Sequence, residues 1–180
     1  MQQVLDPDLL RFPIGKFKWP DSFSSDLVQH AVNEIETTPQ HLHKALKHLD
    51  DDQLDTPYRQ DGWTIRQVVH HVADSHMNAY IRFKLTLTED TPTVKPYREE
   101  RWAELSDSKL DVSVSLHLVE AIHRRWDNVM RNMSDDDWQR EFFHPEHNRN
   151  IALYQLVALY AWHGKHHVAH ITTLRHSKGW

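Results

Sequence analysis

Four stretches of this chain, each about 20 residues long, place apolar side chains at steps of three and four, and that period leaves few choices of fold. The first runs from about Ser24 to Leu49, with Leu27, Val28, Ala31, Ile35, Leu42, Ala45, Leu46 and Leu49 on one face. Pro39 falls inside it, where a missing N–H predicts a kink or a split. The second is predicted over Ile65 to about Leu87, because Thr64 followed by Gln67 is a capping-box signature. A third fits residues 112–132 through Val112, Leu116, Val119, Ile122, Trp126 and Val129, and a fourth fits 151–174. Ser134 with Asp137 marks a short turn, and "FFHPEHNRN" reads as a loop or small hairpin. No strand pattern competes with the helices. The expected fold is therefore all-α: a four-helix bundle with long crossover loops, in one domain over residues 1–180. Residues 1–20, punctuated by Pro7, Pro13 and Pro20, are expected as an irregular extension that packs Phe12, Ile14, Phe17 and Trp19 on the body.

Composition removes several function classes. A formal net charge of −5 without Lys/Arg runs argues against nucleic-acid binding. No apolar run reaches about 18 residues, so no membrane span is expected, and the first residues lack the order of a secretory signal. A cytoplasmic location follows as the expectation. With 4 glycines and neither a dinucleotide fingerprint nor a phosphate loop, nucleotide-cofactor folds are disfavoured. Cysteine is absent, so any metal must be held by His, Asp or Glu.

The 16 histidines matter by position. In "WHGKHHVAH" they stand at 163, 166, 167 and 170. Leu153, Leu156, Val157, Tyr160, Gly164, Val168 and Ile171 define the apolar arc of this helix, and His163 and His167 fall within it, four residues apart. Two imidazoles so spaced on an inward face form a familiar metal half-site, although a single inward histidine is more often a core residue bonded to a carbonyl. His166 and His170 fall toward the edge, with Trp162 and Lys165 on the other side. A third ligand must come from another segment. The second helix offers His70, His71 and His76 in "VVHHVADSH", and periodicity does not choose among them.

"GWTIRQVVHHVADSHMNAYIRFKLTLTED" and "LYAWHGKHHVAHITTLRHSKGW", with "LDTPYR" at 54–59 and "FHPEH" at 143–147, closely resemble the YfiT-like proteins of the DinB-like superfamily. The resemblance spans nearly the whole chain. It implies a DinB-like four-helix bundle, a metal-dependent hydrolase activity, and one divalent ion per subunit, zinc or nickel, on three histidines. Matching the family's W-T-x-x-x-V-V-x-H context places one ligand at His71, and its H-x-x-x-H pair matches His163 and His167. At His170 many superfamily relatives carry Gln, so this ring is expected to support the site or to compete as a ligand. Some relatives resemble thiol S-transferases that use bacillithiol, others glutathione- or mycothiol-linked enzymes, so the resemblance implies thiol transfer as the alternative chemistry. A purely structural metal site would need a fourth protein ligand, with His170 or His76 as the suspects. Homodimerisation is expected by resemblance and from the many Trp and Phe residues.

Three neutral imidazoles leave a metal its full charge and at least one open position, the pattern of catalytic sites. Such a site can activate water for hydrolysis or hold a thiol as thiolate. Asp74, His76 and Arg82 are the candidate supporting or substrate-contacting residues. Asp74 lies three after His71 and can steady that ring or a water. His76 and Asn78 are alternatives as base or proton shuttle. Arg82 suits a substrate carboxylate or phosphate, though an ordinary surface ion pair accounts for it as well. Tyr80 and Tyr160 can line a pocket, and Glu141, His144, Glu146 and His147 can rim it. The substrate is a small molecule of unassigned identity.

Overall fold

Side-chain caps fix where three of the four long helices begin. The computed structural model describes residues 7–180; the first six residues of the expected extension lie outside the described residues. A short helix α1 (Pro7–Arg11) precedes α2 (Ser25–Leu46), which starts at the N-cap Ser24. A one-turn α3 (Asp51–Leu54) follows, and α4 (Ile65–Thr88) starts on a full capping box. There Thr64 Oγ1 accepts from Gln67 N at 3.1 Å, and Gln67 Oε1 accepts from Thr64 N at 3.0 Å. Next come α5 (Glu99–Trp102), a 3₁₀ turn (Ser106–Lys109), and α6 (Val112–Arg131), capped by Asp111. The Ser134–Asp137 signature opens α7 (Asp135–Gln139). "FFHPEHNRN" resolves as an antiparallel hairpin of β1 (Glu141–His144) and β2 (Arg149–Ala152), with Phe142 opposite Ile151. The last helix, α8 (Leu153–Lys178), ends at Gly179, whose φ of 73° suits a helix C-cap.

The long helices form a closed ring in which α2 and α4 each pack on both α6 and α8. Consecutive α2 and α4 thus stand diagonally, as do α6 and α8, and this is why the connections are long. Pro39 neither splits nor ends α2, which continues through it to Leu46.

The interior has two apolar clusters. One holds Ile35, Phe83, Trp126, Phe142 and Leu156; the other holds Leu42, Val68, Val69, Val119 and Ile171. Each fully buried side chain of this kind contributes about 1.5–3 kcal/mol. Between the clusters every long helix turns polar or small at one level: Thr38 and Pro39 on α2, Ser75 and His76 on α4, His123 on α6, and His163, Gly164 and His167 on α8. Gly164 is required there by proximity. A Cβ on it would sit 2.8 Å from Thr38 Oγ1 and 2.9 Å from Thr38 Cγ2. Its absence lets α8 seat against α2 and fixes the depth of the flanking histidines.

Candidate metal centre

The polar layer brings rings from distant parts of the chain together. His71 Nε2 of α4 lies 3.2 Å from His163 Nε2 of α8. Ligand nitrogens of His71, His163 and His167 all lie within 4.8 Å of one another, and among the described residues they are the one group so arranged. Metal–nitrogen bonds of about 2.0–2.1 Å in a tetrahedral site put ligand atoms roughly 3.3 Å apart, so the donor set fits a divalent ion. Two imidazole nitrogens 3.2 Å apart also need either a shared proton or a cation between them. Burial holds His71 down to about 4 and holds His163 and His167 well below the usual imidazole range. At neutral pH the rings are uncharged, the form a metal needs.

A cleft of about 410 Å³ opens onto these rings. Its walls are aromatic: Trp63 packs on His71 at a ring separation of 4.6 Å, and Tyr58 stacks on His170 at 4.0 Å. Arg11 and Arg59 supply positive charge to its lining. Glu99, at the start of α5, reaches the mouth with Oε2 4.0 Å from His71 Nε2. Burial, then the neighbouring Glu100 and Glu146, raises its carboxyl above the usual range. A larger groove of about 900 Å³ lies around Arg66, but that guanidinium is already paired with Asp55 at 2.6 Å and Asp51 at 2.8 Å.

Residues 34–171 match the family described as the DinB superfamily. The chain belongs to the DinB superfamily. Within that superfamily it is 54% identical over 171 residues to proteins of Bacillus cereus (strain 03BB102) and Bacillus thuringiensis subsp. konkukian (strain 97-27), both provisionally named metal-dependent hydrolases. The match covers 95% of this chain and 98% of each relative. Its fold superposes on YfiT from Bacillus subtilis, described as a probable metal-dependent hydrolase with an unusual four-helix bundle topology. The TM-score is 0.93 at 48% identity, covering 96% of this chain and 99% of YfiT. A mycothiol-dependent maleylpyruvate isomerase shares the fold at a TM-score of 0.63 and 19% identity, over 78% of this chain and 59% of its own.

This DinB-superfamily structure separates histidines among which periodicity does not choose. His70 turns to α6, its Nδ1 2.7 Å from Ser115 Oγ and its Nε2 3.1 Å from the Leu110 carbonyl, so both nitrogens are used up. His71 faces the cluster. His76 is fully buried behind His163, not at the cleft. Asp74 is not brought to His71: among the described residues its side chain makes no hydrogen bond to the cluster, and its charged neighbour is Asp107. Burial, then Asp107, raises Asp74 to about 6. The cause is helical phase, since a step of three carries Asp74 round toward the 3₁₀ turn. Arg82 lies three turns along α4 from His71, buried, with a 3.5 Å contact to the Lys95 carbonyl. It is absent from the lining of the 410 Å³ cleft. Trp162, expected on the far side of its helix, instead stacks on His166 at 4.3 Å and lines the cleft. Tyr160 is core, beside His76 and His163. Phe12 and Phe17 of the extension pack on His166 and Trp162, whereas Ile14 is exposed. Glu99 was not singled out by the sequence. The one signal for it was the length of the loop that carries it.

Proposed function

We propose that this chain is a metal-dependent hydrolase whose single divalent ion, zinc or nickel, is held by His71, His163 and His167. The observation that carries the reading is the convergence of three buried or half-buried imidazoles within 4.8 Å at the floor of an aromatic-walled cleft. The names of the Bacillus relatives support it. An ion in that position supplies Lewis acidity and lowers the pKa of a water toward about 7. The protein residues do the rest. Trp63, Tyr58 and Trp162 exclude bulk water and hold the apolar part of a small substrate against the floor. Arg59 and Arg11 attract its anionic part. Glu99, with its raised carboxyl 4.0 Å from His71 Nε2, accepts the proton released when water attacks and returns it to the leaving group.

The test is elemental analysis of untagged protein purified without added metal, followed by a panel of esters, amides and phosphomonoesters with and without a chelator. Stoichiometric zinc or nickel and chelator-sensitive hydrolysis are expected. His71→Ala, His163→Ala and His167→Ala should each lose the metal. Wild-type metal content in all three variants would overturn the ligand set. Consumption of an electrophile solely when bacillithiol is added, with no hydrolysis in its absence, would replace hydrolysis by thiol transfer.

A further inference from the structure

Pro39 stands in the interior of α2, where proline costs about 3 kcal/mol and has no N–H for the carbonyl four residues back. That carbonyl belongs to Ile35. It is not left bare: His123 Nδ1 of α6 lies 2.7 Å from it. A carbonyl only accepts, so His123 carries its proton on Nδ1 and presents a lone pair at Nε2. His123 Nε2 lies 2.8 Å from His76 Nδ1, which must therefore donate. His76 Nε2 then accepts, and its partner at 3.2 Å is His163 Nδ1. Three neutral rings in series, started by one proline, leave the lone pair of His163 on Nε2. That is the nitrogen 3.2 Å from His71 Nε2.

A second, shorter series reaches His167. The Arg11 carbonyl accepts from His170 Nε2 at 3.2 Å. His170 Nδ1 is thus an acceptor, 3.3 Å from His167 Nδ1, which donates and keeps its lone pair on Nε2. Both series end on backbone carbonyls, so neither can run in reverse.

We propose that His76, His123 and His170 are positioning residues that set the tautomer of His163 and His167, through two hydrogen-bond relays anchored on the Ile35 and Arg11 carbonyls. Their service to a metal rests on the proposed function; the tautomers themselves do not. Partners of this kind orient ligand rings and raise their basicity, and losing one typically costs 10–100-fold in metal affinity. The arrangement also gives His170 and His76 a role other than that of a fourth ligand.

The test reads the rings directly. Long-range ¹H–¹⁵N correlation spectra of chelator-treated wild-type protein at neutral pH should show Nδ1–H, bare-Nε2 rings for His76, His123, His163 and His167, and the opposite tautomer for His170. His123→Leu does not touch His163, yet it should shift the His163 nitrogens toward a mixture of tautomers and weaken zinc binding by about 10–100-fold. His123→Gln, which can still donate and accept, should restore most of both. An Nε2–H ring at His163 or His167 in the wild-type spectrum would overturn the proposal, as would an unchanged His163 spectrum in folded His123→Leu. The expected tautomers in a protein that binds no metal would uphold the relays and sink the proposed function instead.

Discussion

The aromatic end of the bundle and its histidine layer are built from the same four helices and are held by different physics. At the aromatic end Phe83 packs edge-on against Trp126 and Trp138, at 5.1 and 5.9 Å, and the requirement is volume and shape. In the histidine layer His76 and His123 lie 4.8 Å apart as stacked rings, and the requirement is the direction of each hydrogen bond. A volume error is spread over many contacts. A direction error passes from ring to ring until it reaches the cleft. The lesson is that packing volume and hydrogen-bond direction are specified separately in one core, one to two turns of helix apart.

The sharpest way to break the comparison is to damage the aromatic end alone. Phe83→Ala should cost about 3–5 kcal/mol in denaturant unfolding, and the folded fraction should keep its metal. Loss of metal from folded Phe83→Ala protein would show that the two regions are not separable. Gly164→Ala probes their boundary. Its Cβ meets Thr38 at 2.8 Å, so about 1–3 kcal/mol should be lost together with a measurable drop in metal affinity by calorimetric titration.

Acid should act on the histidine layer first. Burial lowers His123 from 6.5 to about 4. Between those values the unfolded chain binds the extra proton and the folded protein does not, so stability falls as pH falls from about 6.5 toward 4 and is complete above that window. Thermal scans at pH 7.5, 6 and 5 should show this decline, and His123→Leu should flatten it; an equal slope in that variant would assign the effect elsewhere. The smallest effect is expected at His166. Among the described residues its Nδ1 meets no hydrogen-bond partner and its ring stacks on Trp162, so His166→Ala should retain stoichiometric metal in elemental analysis.

Much of this is legible in the sequence. Thr64–Gln67 and Ser134–Asp137 marked helix starts because caps are contacts within four residues. The period of Leu153, Leu156, Val157 and Tyr160 put His163 and His167 on one inward face for the same local reason. Choosing His71 over His70 took the family resemblance. In the structure His70 satisfies both nitrogens on Ser115 and Leu110, which lie 45 and 40 residues away, while His71 faces His163. A spacing of three does not say which neighbouring element lies beside Asp74, and Asp107 of the 3₁₀ turn is its charged neighbour. Glu99 is not legible in this way, because the proline-marked segment leading into the one-turn α5 has no period to read.

By itself, then, the sequence determined the helices, their caps, their buried faces and the inward His163–His167 pair, since all of these are set by neighbours along the chain. The tertiary structure alone decided that a ring 92 residues away would face His163, and that the carbonyl left without a helical partner by Pro39 would be taken by His123. Those outcomes depend on the relative phase and depth of packed helices, and no local periodicity encodes them.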